Sequence, residues 1–152
     1  MAHKTIDHIL THHELEKIAA AISDAERTTS GEIRVAIRKR RHWGEKKLSL
    51  HQLAAKEFAK FGMQNTVHRS GVLIFLLLSE RKFHIIGDEG IHAKLAEGTW
   101  DRMADMMGSH FRENRFCEGI IGAVREVGKL LEQNFPPQGT KKNELPDDVI
   151  LE

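Results

Sequence analysis

Gly87-Asp88-Glu89-Gly90 sets two carboxylates between glycines, where an apolar run gives way to a short helical pattern. Carboxylate oxygens on a short turn are the donors that a hard cation such as calcium takes. Asp101 and Asp105 stand four residues apart, hence on one face of a helix. They would complete such a site if that helix packs over the same end of the fold. The plain alternative is that acids ahead of a helix satisfy its first amides and its dipole. Arg69 bears on both readings, because near Asp88 its guanidinium would compete with a metal or contact a phosphate. The candidate metal residues are therefore Asp88, Glu89, Asp101 and Asp105, and the candidate anion contact is Arg69.

A second constellation runs from Arg38 to Lys47, with six Lys and Arg around Trp43. Cations beside an aromatic ring can hold phosphates and stack a base. The alternative is a solvated loop that keeps the chain soluble. On the following helix, Lys56 and Lys60 are interrupted by Glu57, so no continuing basic stripe is expected.

Histidine is the third candidate, with ten in the chain. His3, His8, His12 and His13 cluster near the start, while His84, His92 and His110 are scattered. A zinc site wants three or four converging ligands, commonly with pairs spaced like His8 and His12. Nothing local completes such a set. Cys117, beside Phe116, reads as a core thiol, and a single cysteine excludes an internal disulfide framework. There is no tyrosine. Nucleophile-elbow, phosphate-loop, dinucleotide and H-E-x-x-H motifs are absent, so no hydrolase, nucleotide-binding or metalloprotease reading has a motif behind it.

The elements that must position these residues follow from periodicity. Thr11 and Glu14 form a capping-box pattern ahead of Leu15, Ile18, Ala19, Ile22 and Ala25, which predicts a helix over 12–28. Thr29-Ser30-Gly31 breaks it. Ile33, Val35 and Ile37 alternate with Glu32, Arg34, Ala36 and Arg38, a strand of period two. Ser49 and Gln52 form a second capping-box pattern, opening a helix that Gly62 closes. Gly71–Leu78 is wholly apolar and reads as a strand buried on both faces. It pairs as a hairpin with Lys82–Gly87. A short helical stretch over Ile91–Leu95 follows. Thr99 is expected to cap a helix bearing Trp100, Met103, Ala104, Met107 and Phe111, and a last helix carries Phe116 to Leu131. The tail leaves Leu145, Val149 and Ile150 available for docking.

Strand, crossover helix and strand give parallel neighbours. The expected fold is α/β, a small mixed sheet of three to four strands between helices. Ser30 to Glu32, His68 to Ser70 and Gly87 to Glu89 should then share one end of the sheet. The basic loop and the Ser79–Arg81 turn should lie at the opposite end.

At 152 residues the chain suits one domain, with 40% hydrophobic and 30% charged residues. The division expected is an N-terminal arm over 1–10, a domain over 11–137, and a polar to acidic tail over 138–152. The net charge is +1, which disfavours a general nucleic-acid binder. That near-neutrality is a sum of opposed patches. Residues 34–47 hold seven Lys and Arg against one Glu, and 143–152 hold four acids and no base. No secretory signal is read near Met1, and the longest apolar run falls far short of the roughly 20 residues of a membrane span. The cytoplasm is the default location, and a monomer the default state.

The chain also resembles the TPM domain family, named for a thylakoid lumen protein, a photosystem repair protein and a nematode receptor modulator. The resemblance covers 12–135 and rests on Thr29-Ser30-Gly31-Glu32-Ile33-Arg34-Val35, on Ser70-Gly71-Val72-Leu73-Ile74, on Arg81 through Ile91, and on Phe111 through Ile121. The ending, Phe135-Pro136 and then Asn143-Glu144-Leu145-Pro146-Asp147-Asp148, is similar to the short bacterial subfamily. The resemblance implies an α/β sandwich and links to weak acid phosphatase activity, to calcium binding and to repair or assembly of membrane complexes. Members with phosphatase or metal roles often carry Asp-Asn-Gly where this chain has Arg69-Ser70-Gly71. Asp88 and Glu89 match the family's acidic loop after the hairpin.

The expected function is a non-enzymatic TPM-domain protein that binds calcium or a partner protein at that acidic loop. One alternative is a weak metal-dependent acid phosphatase, with Asp88 and Glu89 on the metal and Arg69 on the phosphate. Another is an interaction module working through the acidic tail.

Overall fold

The computed structural model describes residues 9–137 and 149–152. Helix α1 is His12–Glu26, opened by the expected capping box: Glu14 N donates to Thr11 Oγ1 and Thr11 N to Glu14 Oε1. It stops two residues early because the next residues bond elsewhere. The Thr29 hydroxyl and Ser30 N both donate to Phe135 O, tying the helix exit to the far end of the last helix.

Strand β1 is Glu32–Arg38 and pairs in parallel with β2, Gly71–Leu77. Helix α2, Leu50–Lys60, crosses between them behind its Ser49–Gln52 capping box. A short 3-10 turn, Leu78–Glu80, leads through Arg81 at φ 50° into β3, Lys82–Gly87, antiparallel to β2. Helices α3 (Glu89–His92), α4 (Thr99–Arg112) and α5 (Phe116–Asn134) follow. The sheet order is β3-β2-β1-β4, with β4 the pair Ile150–Leu151 lying parallel to β1. The end of the acidic tail is thus the fourth strand. Leu145 and the other residues of 138–148 lie outside the described part.

The sheet has a core on each face. Ile33, Val35 and Ile37, with Val72, Ile74 and Leu76, pack among α1, α4 and α5. Leu73, Phe75 and Leu77 point the other way, against Leu53, Ala54 and Phe58 of α2. This alternation explains the wholly apolar β2.

It also corrects the reading of β1 as half polar. Its Arg38 is only 2% exposed, lying under α2 with Glu45 (3.1 Å) and Glu57 (3.0 Å), themselves buried. Glu57 therefore does not interrupt a basic stripe. It points inward, while Lys56 and Lys60 stay at the surface, bridging to Glu45 and Glu152.

Two helix starts differ from expectation. Helix α3 begins at Glu89 rather than Ile91, because Asp88 caps it. Helix α4 is entered through Gly98 at φ 82°, and Thr99 is its first residue, with its hydroxyl donating back to Ala96 O.

The two ends of the sheet fall as expected. At one, Asp88 N donates to Gly71 O and Gly90 N to Arg69 O. At the other, Ser79 N donates to Lys39 O and Arg41 pairs with Glu80.

Candidate functional site

The loops entering β2 and leaving β3 are stitched together through their backbones. Arg69 has φ 52°, a left-handed conformation that costs a non-glycine residue about 1 kcal/mol or more. It is held there by Arg69 N to Thr66 O, by Ser70 N to the Thr66 hydroxyl, and by its own carbonyl, which accepts from Gly90 N at 2.8 Å. Gly90 is required for that approach: a Cβ there would lie 2.1 Å from His68 O and 2.5 Å from Arg69 O.

This geometry throws the Arg69 side chain across Asp88. Nε donates to Oδ2 at 2.7 Å and a terminal nitrogen to Oδ1 at 2.9 Å, a bidentate pair. Oδ1 also accepts from Glu89 N at 2.8 Å, which caps α3. Asp88 is 5% exposed. The hydrogen bond to Asp88, then its charge, raises the Arg69 guanidinium above its ordinary value. Both oxygens of the carboxylate are engaged, and the adjacent cation is a guanidinium.

The other candidates lie apart from this pair. Glu89 is exposed in the first turn of α3. Asp101 borders a cleft beside β3, while Asp105 borders a second cleft with Arg81 and Arg112. Spacing puts the two aspartates on one face of α4, yet that face spans both clefts. Among the described residues no three His, Cys, Asp or Glu gather closely enough to hold a metal ion. Calcium needs six to eight oxygens. As arranged, Asp88 offers a lone pair or two beside a fixed positive charge, and the residues do not fit calcium.

The cleft beside β3 has a volume near 610 Å³ and begins at Gly87, one residue before Asp88. Its walls are the outer face of β3, the α3–α4 connection and the start of α4. Gly87 lets the Trp100 indole pack directly against the strand, since a Cβ there would meet the ring at 2.7 Å. The Trp100 Nε1 proton is buried and finds no acceptor among the described residues. Across the cleft, His51 of α2 and His84 of β3 meet through ring nitrogens 2.9 Å apart, with ring planes at 85°. Burial and then the neighbouring His51 ring lower the His84 pKa below the usual histidine value, against a smaller opposing pull from Asp101. The lowered pKa favours the neutral form of the His84 ring.

Sequence reasoning missed this cleft. His51 and His84 are 33 residues apart and meet only because α2 lies over β3. Trp100 reads as one more apolar residue of a helix face. The one local signal is Gly87, a glycine closing a strand with no turn to need it.

With this geometry in view, the comparisons with known proteins are specific. A family model of the TPM domain matches residues 5–130. This chain belongs to the TPM domain family. The BA42 protein of the psychrophilic bacterium Bizionia argentinensis, solved by NMR, is 31% identical, with a TM-score of 0.84 over 94% of this chain and 95% of that one. The N-terminal domain of a Porphyromonas gingivalis protein shares the fold, with 20% identity and a TM-score of 0.61 over 87% of this chain and 83% of that one. The N-terminal domain of the cg2496 protein of Corynebacterium glutamicum also shares it, at 14% identity and a TM-score of 0.60 over 86% and 78%. No curated protein matches the chain. No described helix is long and apolar enough to cross a membrane.

Proposed function

We propose that this TPM-domain chain is a non-catalytic binding protein, and that its ligand is a segment of a partner protein held in the cleft that starts at Gly87. The observation that carries this is the contrast between two adjacent places. Asp88 is closed, its two oxygens taken by Arg69 and the α3 amide. The cleft beside it is open, with the Trp100 ring and the His51–His84 pair among its lining. An apolar wall with a few convergent polar groups is what a bound segment needs for burial and orientation. The phosphatase alternative needs a metal or a nucleophile at Asp88, and the geometry there supports neither.

Two assays test this. The first is turnover of a generic phosphate monoester with calcium or magnesium present. A non-catalytic protein gives none above the buffer rate, and turnover that vanishes in Asp88→Ala would overturn the proposal. The second is photo-crosslinking in the cells of origin. A reactive group replacing Glu97 at the cleft rim should yield a discrete protein adduct, and one replacing Lys129 on α5 should not. Identical adducts from both positions, or none at Glu97, would count against the cleft.

A further inference from the structure

At the opposite end of the sheet, Trp43 is 96% exposed. An indole buries 150–250 Å² when it can, roughly, and a fully hydrated one needs a reason. Looseness of the loop does not supply it, because the loop is pinned from below. Glu45 is buried, ion-paired to Arg38 at 3.1 Å and to Lys56 at 2.8 Å, and its Oε1 accepts from His42 N at 2.6 Å. Hydrogen bonds and charge from Lys56, His42 and Arg38 outweigh its burial and hold its carboxyl at about 2, so it stays ionised. Arg41 reaches inward to the carbonyls of Glu45 and Leu48 and pairs with Glu80. Gly44, at φ 92°, turns the tip. The residues on either side of Trp43 are thus fixed, and the ring is held out in water.

The charge around it is one-sided. Arg40, Lys46 and Lys47 are exposed on the same loop, and Arg81 and Lys82 are exposed at the adjoining hairpin, which Ser79 N to Lys39 O and Arg41 to Glu80 tie to it. None of these five cations is in an ion pair among the described residues. The two acids of this loop and turn are committed, with Glu45 on Arg38 and Lys56, and Glu80 on Arg41.

We infer that this end of the fold is a membrane-surface contact, with Trp43 seated among the headgroups of an anionic bilayer and Arg40, Lys46, Lys47, Arg81 and Lys82 facing its phosphates. Indole rings favour the bilayer interface, and basic side chains near an anionic leaflet each add roughly fivefold to partitioning. Single-stranded nucleic acid is the competing polyanion. It calls for a groove with successive stacking aromatics, whereas one ring stands alone here at a convex tip. The inference is independent of the proposed cleft function, since none of the residues it uses lines that cleft.

Flotation with vesicles of phosphatidylcholine and phosphatidylserine mixed equally tests it, using the full chain. Binding is expected to these vesicles, to be lost on pure phosphatidylcholine, and to weaken with salt. Trp43→Ala, an exposed change that leaves the fold intact, should weaken binding on the order of tenfold, and Lys46→Glu with Lys47→Glu should weaken it further. Quenching of Trp43 fluorescence by lipids brominated near the headgroup, absent in Trp43→Phe, reads insertion directly. Equal binding to neutral vesicles, unchanged binding of Trp43→Ala, or no vesicle binding alongside Trp43-dependent binding of a single-stranded RNA would each overturn it.

Discussion

Arg69 and Asp88 face each other across the mouths of β2 and β3, joined by two hydrogen bonds of 2.7 and 2.9 Å. Seventeen of the pair's eighteen intervening residues, 71–87, form a hairpin, so this contact closes the hairpin at its open end. It sits where the sequence offers a cation site, and the charge is supplied by the chain itself.

Asp88 also caps α3, so two functions of one carboxylate can be separated. Asp88→Ala removes cap and ion pair together and should lower the unfolding free energy by at least about 1 kcal/mol from the cap alone. Asp88→Asn retains an acceptor for Glu89 N and should recover most of that part. Urea unfolding of both variants checks this, and equal losses would mean the cap contributes little.

Gly90→Ala should be worse than either. The added methyl would sit 2.1 Å from the His68 carbonyl, backbone that cannot swing aside. A loss of about 3 kcal/mol is expected from such overpacking. Because the strain falls on the Arg69 loop, amide exchange should quicken at residues 69–71 and 88–90 before it does in α5. Exchange that quickens evenly over the fold would contradict the coupling.

A pH effect comes from the far end of the sheet. Glu57 is pushed up to about 7, first by burial and then by the facing carboxyl of Glu152, with Arg38 pulling the other way. Against an ordinary value of 4.5, the folded chain holds a proton that the unfolded chain has lost. Its stabilising contribution is therefore complete below 4.5 and disappears as pH rises to about 7, by up to about 3 kcal/mol. Glu45, held at about 2, acts in the opposite sense, and its contribution is lost as pH falls below 4.5. Glu57→Gln should flatten the decline between 4.5 and 7 while leaving the acid limb unchanged. Thermal melts across that range check it, and a variant curve parallel to the wild type would contradict it.

What could be read from the sequence was whatever is local or periodic. Both capping boxes, the wholly apolar β2, the hairpin and the grouping of loops at two ends of the sheet follow from spacing and crossover rules, and each is present. The contents of β1 were not legible. Arg38 and Glu57 look like surface charges; in the fold Arg38 is buried against the ionised Glu45, and burial pushes the Glu57 carboxyl toward its neutral form. The fourth strand is two residues that pair with a strand more than a hundred positions away. At the acidic loop, the nearness of Arg69 to Asp88 was legible from topology. The bidentate geometry depends on a left-handed arginine that no pattern signals. The cleft depends on His51, His84 and Trp100, residues from three elements that only the packing unites.

The claim that Arg69 closes the Asp88 end is tested most directly by a calcium titration followed through amide NMR shifts. With Arg69 bonded to both Asp88 oxygens, the signals of Gly87 through Ile91 should stay unmoved up to millimolar calcium. Saturable shifts at those residues would show that calcium displaces the guanidinium, and would contradict the account.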